Sequence, residues 1–129
     1  MISNSLEQET KPLTDKEIKK LTQKAKILIP NRVEHYAKMM GVHYDRITIR
    51  HQSTRWGSCS SNKNLNFNCL LLLMPLEVID SVIVHELCHL IHMDHSKAFY
   101  EEVYRYCPNY KELNKWLKEN GASIIRRLP

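Results

Sequence analysis

The sequence predicts an α+β fold: a small antiparallel or mixed sheet packed on one buried helix, with further helices flanking it. Three observations predict it. Apolar residues recur at three- and four-residue spacings before residue 41 and after residue 95, as in half-buried helices. Two short runs between them, 46–50 and 65–68, alternate polar and apolar as strands do. The segment from Pro75 to Val84 is apolar nearly all round a helix, which marks a buried one. With 129 residues there is room for one core only. The expected organisation is a polar, aperiodic tail over 1–12 and a single domain over 13–129.

The helices begin at Thr14. With Glu17 three residues on, it forms a capping-box pattern. Ile18, Leu21, Ala25 and Leu28 make the first stripe, and the lysines between them read as a solvated face. Pro30 interrupts it, so the helix either breaks there or restarts with Pro30 as its first residue. Val33, Tyr36, Ala37 and Met40 continue to Gly41, a good helix stop. Arg46-Ile47-Thr48-Ile49-Arg50 then reads as a strand, and Leu65-Asn66-Phe67-Asn68 as a second. The Gly, Ser and Asn cluster over 53–64 reads as a long loop joining them into an antiparallel pair. Pro75 takes the first position of the buried helix.

That helix ends in His85-Glu86-Leu87-Cys88-His89. Histidines four apart lie about 40° apart around a helix, so both rings point one way and can share a Zn²⁺ ion. Glu86 can reach a water on the metal's open position. An H-E-x-x-H alone is short enough to arise by chance, but polar groups at the end of a buried helix need a partner, and a metal supplies one. A zinc-dependent hydrolase, most simply a peptidase, is the reading this supports.

A third ligand must follow. If the helix ran on straight, His95 would lie about 240° past His89, on the wrong face, whereas His92 would keep the face but sit roughly 10 Å too far along. His95 therefore serves if the helix breaks near Met93-Asp94, and Ser96 offers the N-cap of the next helix. His92, Asp94, Glu101 and Glu102 are the alternatives. Phe99, Val103 and Tyr106 form the next stripe, which Pro108 ends. Tyr110, Leu113 and Leu117, with Trp116 beside them, face the core from the last helix, which Gly121 closes.

Composition excludes several classes. The longest apolar run, Cys69 to Pro75, is far too short to cross a bilayer, so no membrane partner is expected. The N-terminus lacks a signal pattern, which places the chain in the cytoplasm. Cys59, Cys69, Cys88 and Cys107 form no C-x-x-C and read as reduced, mostly buried thiols. The net charge of +5 permits contact with anions, but no basic block or binding signature appears, so nucleic acid is not indicated.

The stretch from Arg55 to Trp116 resembles the YgjP-like metallopeptidases, a branch of the zincin group related to the SprT-like and WLM proteases. The resemblance rests on Arg55-Trp56-Gly57-Ser58-Cys59, Asn64-Leu65-Asn66-Phe67-Asn68, Pro75-x-Glu77-Val78-Ile79-Asp80 and His85-Glu86-Leu87-x-His89 with His95-Ser96 and Phe99. It implies a zincin-like core, with His85, His89 and His95 as ligands of one zinc ion per chain and Glu86 as catalytic acid and base. Typical members carry a β-rich section before the first helix, which this sequence does not show.

The expected reaction is hydrolysis of a peptide or protein substrate. Arg55 is a candidate to stabilise the developing oxyanion, with Tyr100 and Tyr104 as weaker ones. Asn66 and Asn68 become substrate-binding candidates if their strand lies at the sheet edge, where an extended peptide can pair. A nucleotide pyrophosphohydrolase, associated with the same family, is the alternative; Arg50, Arg55 and Lys63 would then hold phosphates. A non-catalytic zinc-binding module, or an enzyme held inactive by its own tail, is the third reading. The intact Glu86 speaks against it.

Overall fold

In a computed structural model, which describes residues 11–129, the first helix α1 spans Asp15–Met40. Residues 1–10, most of the expected tail, lie outside the described residues. The capping box forms as the sequence predicts: Glu17 N donates to Thr14 Oγ1 and Thr14 N to Glu17 Oε1, both at 3.1 Å. Gly41 ends the helix at φ 69°, a left-handed conformation that glycine adopts without strain. Pro30 neither breaks nor restarts α1, which runs through it. The reason is packing. Ala25, Ile29, Val33 and Ala37 repeat every four residues across the proline and are all buried, so one continuous face holds both halves. The carbonyl that Pro30 leaves without a donor belongs to Lys26, an exposed residue within reach of water.

The sheet contains β1 (Arg46–Arg50), β2 (Gly57–Cys59) and β3 (Asn64–Asn68), in the spatial order β1-β3-β2. It is mixed. β1 and β3 run parallel, with Ile47 opposite Leu65, so the expected antiparallel pairing of these two runs is corrected. The segment read as a long loop contains β2, which lies antiparallel to β3 with Cys59 opposite Leu65. The true hairpin is β2–β3. It turns through Ser60–Lys63, where Lys63 N donates to Ser60 O at 3.0 Å and Lys63 takes φ 64°. With β2 filling the connection, the chain re-enters the sheet in β1's own direction.

A 3₁₀ turn, Cys69–Leu73, leads to α2 (Leu76–Cys88), followed by α3 (Lys97–Tyr106) and α4 (Tyr110–Ile125). The core joins Ile29 and Val33 of α1, Leu65 and Phe67 of β3, Leu70 and Leu71, and Ile83 and Leu87 of α2, all fully buried. Arg32 fixes α2 against α1 by a two-pronged pair to Asp80, Nε to Oδ1 at 2.9 Å and Nη2 to Oδ2 at 2.6 Å. Tyr36 adds its hydroxyl to the same carboxylate at 3.1 Å. Such charge-assisted forks set orientation as well as energy.

Gly121 does not close α4, which continues four residues beyond it. Its role is space: a Cβ there would lie 3.1 Å from Trp56 Cζ2, so the indole rests on the bare backbone. The C-terminal residues tie back to the start of the domain. Leu13 N donates to Arg127 O at 2.6 Å and Arg127 Nε to Lys11 O at 2.9 Å. All four cysteines are free thiols, and no helix among the described residues is long and apolar enough to cross a membrane.

Candidate metal centre

His85 occupies the last turn of α2, and His89 caps its C-terminus. The helix ends earlier than the expected break at Met93-Asp94. Past it the chain tightens: His89, Leu90 and Ile91 donate to the carbonyls three residues back, at 3.1, 3.0 and 3.0 Å. This tight winding replaces the glycine a helix stop usually uses. Ser96 then caps α3 by accepting from Phe99 N at 3.3 Å. The reversal brings His95 back over His85.

His85, His89 and His95 offer ligand atoms that all lie within 4.8 Å of one another. His95 Nε2 and His85 Nε2 are 3.4 Å apart. A tetrahedral ion with nitrogen ligands at about 2.0–2.1 Å places two of them about 3.4 Å apart, so this pair already has the required separation. The ring atoms facing away are engaged. His85 Nδ1 meets the Tyr110 hydroxyl at 2.9 Å, and His89 Nδ1 meets His92 O at 3.0 Å. Partners of this kind fix ring orientation and leave Nε2 for a metal. Burial, and then the neighbouring His89 and His95, push the His85 imidazole down to about 4, and burial also lowers His89. Rings kept neutral at physiological pH are ready to ligate.

Phe99 forms the floor. It is fully buried, its ring stacked on His89 at 4.4 Å and edge-on to His85 and His95 at 5.0 and 5.1 Å. The sequence marked Phe99 and Tyr110 as core and missed their contact with the histidines. A helical apolar stripe does not say which buried ring faces a site.

Glu86 is 6% exposed, and burial pushes its carboxyl up to about 8, with the charge of Arg55 pulling the other way. Gly57 makes room for it: a Cβ there would lie 3.0 Å from Glu86 Cγ and 3.3 Å from Oε2. Cys59, across the same cleft, is pushed up to about 11 by burial and by Glu86, so it stays a protonated thiol.

The other candidates disperse. Arg55 lines the open cleft with the three histidines, whereas Arg50 and Lys63 line neither cleft beside them. β3 is the central strand, with both edges occupied, so Asn66 cannot offer its backbone to a peptide. The Asn68 side chain is consumed internally. Its amide donates to Gln52 O and Arg55 O at 2.8 and 3.0 Å, and its carbonyl accepts from Leu70 N at 3.0 Å. It therefore anchors the loop that carries Arg55. Among the described residues, the edge strand beside the cleft is β2. His92, Asp94, Glu101 and Glu102 stand outside the cluster. Tyr100 lies beside His95, ring centres 6.2 Å apart, while Tyr104 packs edge-on with Tyr110 at 5.9 Å.

A family model described as YgjP-like, metallopeptidase domain, matches residues 2–120. Among solved structures, the fold is similar to the metallopeptidase zymogen abylysin of Pyrococcus abyssi, at 21% identity and a TM-score of 0.63, covering 71% of this chain and 94% of that one. The zymogen of Methanocaldococcus jannaschii jannalysin is similar at 20% identity and a TM-score of 0.63, covering 70% and 94%. No curated protein matches by sequence.

Proposed function

Because the chain belongs to the YgjP-like metallopeptidase family, we propose that it is a zinc-dependent peptidase in which His85, His89 and His95 hold one ion and Glu86 moves the protons. The observation that carries this reading is the convergence of three imidazoles within 4.8 Å, beside the buried carboxyl of Glu86. Three nitrogen ligands with a position left open suit catalytic zinc, which supplies Lewis acidity: it polarises a scissile carbonyl and acidifies a water towards neutral pH.

The chain's own residues do the rest. Glu86 takes a proton from the attacking water and delivers it to the amine nitrogen as the C–N bond breaks. Its burial raises its affinity for that proton. Arg55, on the rim of the same cleft, stands where a guanidinium can stabilise the negative charge that develops on the carbonyl oxygen. Tyr110 and the His92 carbonyl keep His85 and His89 aimed inward. An extended peptide adds to the outer edge of β2, the edge strand among the described residues, rather than to β3. The nucleotide reading loses support because two of its three phosphate-holding cations lie away from the clefts. Most of the tail invoked by the inhibited reading, residues 1–10, lies outside the described residues.

The test is Glu86→Gln. The variant is expected to keep stoichiometric zinc while peptide hydrolysis falls at least about a hundredfold. Turnover equal to wild type would reject the mechanism.

A further inference from the structure

We propose that the solvent face of α1 over residues 16–26 is a docking surface for the phosphate backbone of a nucleic acid duplex, held by charge and without sequence preference. The proposal stands apart from the peptidase reading. The sequence shows no basic block because these charges are spaced along the chain; the helix gathers them. At about 100° per residue, Lys16, Lys19, Lys20, Lys24 and Lys26 fall within an arc of about 160°, away from the buried Ile18, Ala25 and Ile29. All five are exposed. On one flank Lys16, Lys19 and Lys26 line an open groove with His51. On the other, Lys20 and Lys24 line a second hollow with Arg127.

The fold leaves these charges unanswered. On other helix surfaces basic side chains have acidic partners: Lys38 with Glu34 and Lys115 with Glu119, both at 3.8 Å, and Arg105 with Glu102 at 3.3 Å. Among the described residues none of the five lysines is in such a pair. Asp15 and Glu17 stand at the two margins of the arc, in the first turn, and Glu17 is held by Thr14 N at 3.1 Å. The next acid along α1, Glu34, accepts from the Tyr44 hydroxyl at 2.8 Å. Lys16 faces Lys19 and Lys20, and Lys20 faces Lys24, at the three- and four-residue spacings where like charges oppose a helix. A ligand of opposite charge relieves that repulsion.

The make-up of the face selects the ligand. Protein interfaces are depleted in lysine and rely on aromatic, methionine and arginine anchors. Here Ile27 is the one large apolar side chain exposed, and no aromatic residue occurs from 11 to 35. The same lack tells against a single strand, whose bases stack on aromatic rings, and against a lipid surface, which takes up an apolar helix face. Lysines as point charges on phosphate suit a duplex read by its backbone alone. The groove shares no lining residue with the cleft at the histidines, so the two sites are separate.

The experiment titrates a fluorescent random-sequence DNA duplex with the zinc-loaded protein between about 50 and 200 mM salt. The test variant carries Lys19→Gln, Lys20→Gln and Lys26→Gln. The control carries Lys111→Gln, Lys115→Gln and Lys118→Gln, the same loss of charge on α4. Circular dichroism checks that both fold. The wild type is expected to bind, with log affinity falling steeply against log salt. The α1 variant should lose at least about tenfold in affinity, and its slope should be shallower by about 2.7, or 0.9 per phosphate contact. The control should stay within about threefold of wild type in affinity and keep its slope. No binding at the lowest salt, equal losses in the two variants, an unchanged α1 variant, or binding to phosphatidylserine vesicles in place of the duplex would each overturn the proposal. None of these results bears on peptide hydrolysis.

Discussion

Substituting Gly57 by alanine tests how the acid/base carboxyl is held. Gly57 has an ordinary backbone conformation, since Gly41 is the one glycine at positive φ, so alanine brings no backbone strain. What it brings is a methyl group 3.0 Å from Glu86 Cγ and 3.3 Å from Asn66 O. Carbon atoms rest at about 3.5–4.0 Å, so Glu86 or β2 must yield by roughly 0.5–1 Å. Overpacking of this size costs about 1–3 kcal/mol. A displacement of the same order at a reacting group lowers turnover by about a hundredfold. The atoms nearest the new methyl belong to Glu86 and Asn66 rather than to the histidines, so metal content should stay at wild-type level. The assays are kcat on a cleaved peptide, metal content and thermal unfolding. A double-mutant cycle isolates the contact: in a Glu86→Ala background, which removes the crowded Cγ, most of the stability loss should vanish. Wild-type kcat and stability in Gly57→Ala, or an undiminished loss in the double variant, would refute the reasoning.

Three further outcomes follow from the same geometry. Tyr110→Phe removes the hydroxyl 2.9 Å from His85 Nδ1 and should weaken metal affinity about 10–100-fold in a chelator competition titration, with little change in fold; unchanged affinity would show that the ring needs no such partner. Asp80→Ala leaves Arg32 and Tyr36 without their shared carboxylate and should lower stability by about 2–4 kcal/mol in denaturant unfolding, the pair being largely buried on the Asp80 side. The metal-free protein should show a stability plateau between about pH 4.5 and 6.5 and lose stability above it. His85, pushed down to about 4, contributes stability present above its unfolded value of 6.5 and lost as pH falls, while Glu86, pushed up to about 8, contributes stability present below 4.5 and lost as pH rises to 8. Between 4.5 and 6.5 these two slopes oppose, and above 6.5 Glu86 acts alone, a loss of about 2 kcal/mol by pH 8. Melting curves of metal-free Glu86→Gln should lack that alkaline decline; a decline that persists would assign it elsewhere.

Local chemistry was legible in the sequence, and partnership at a distance was not. The Thr14–Glu17 box, the stop at Gly41 and the Ser96 cap are each written within a few residues, and each forms. The His85–His89 spacing is equally local. Alternation over 46–50 and 65–68 gives a strand's two faces but carries no sign of its neighbour's direction, so the parallel pairing was hidden. β2 was hidden because three residues, Gly57-Ser58-Cys59, are too few to show a period and resemble turn chemistry. Gly121 misled because its reason, the Trp56 indole, lies far off in the chain. Pro30 misled because a proline's local disruption was outweighed by a buried face on both sides of it.

The brevity of β2 has a bearing on how the molecule survives in concentrated solution. An unpaired sheet margin left open for a substrate is also an invitation to stray chains, and long flat ones nucleate fibrils. Three residues offer too little ladder to recruit a neighbouring molecule's strand stably, yet enough to grip a peptide that the histidine cluster also holds. Lengthening that margin by design should therefore trade solubility for grip.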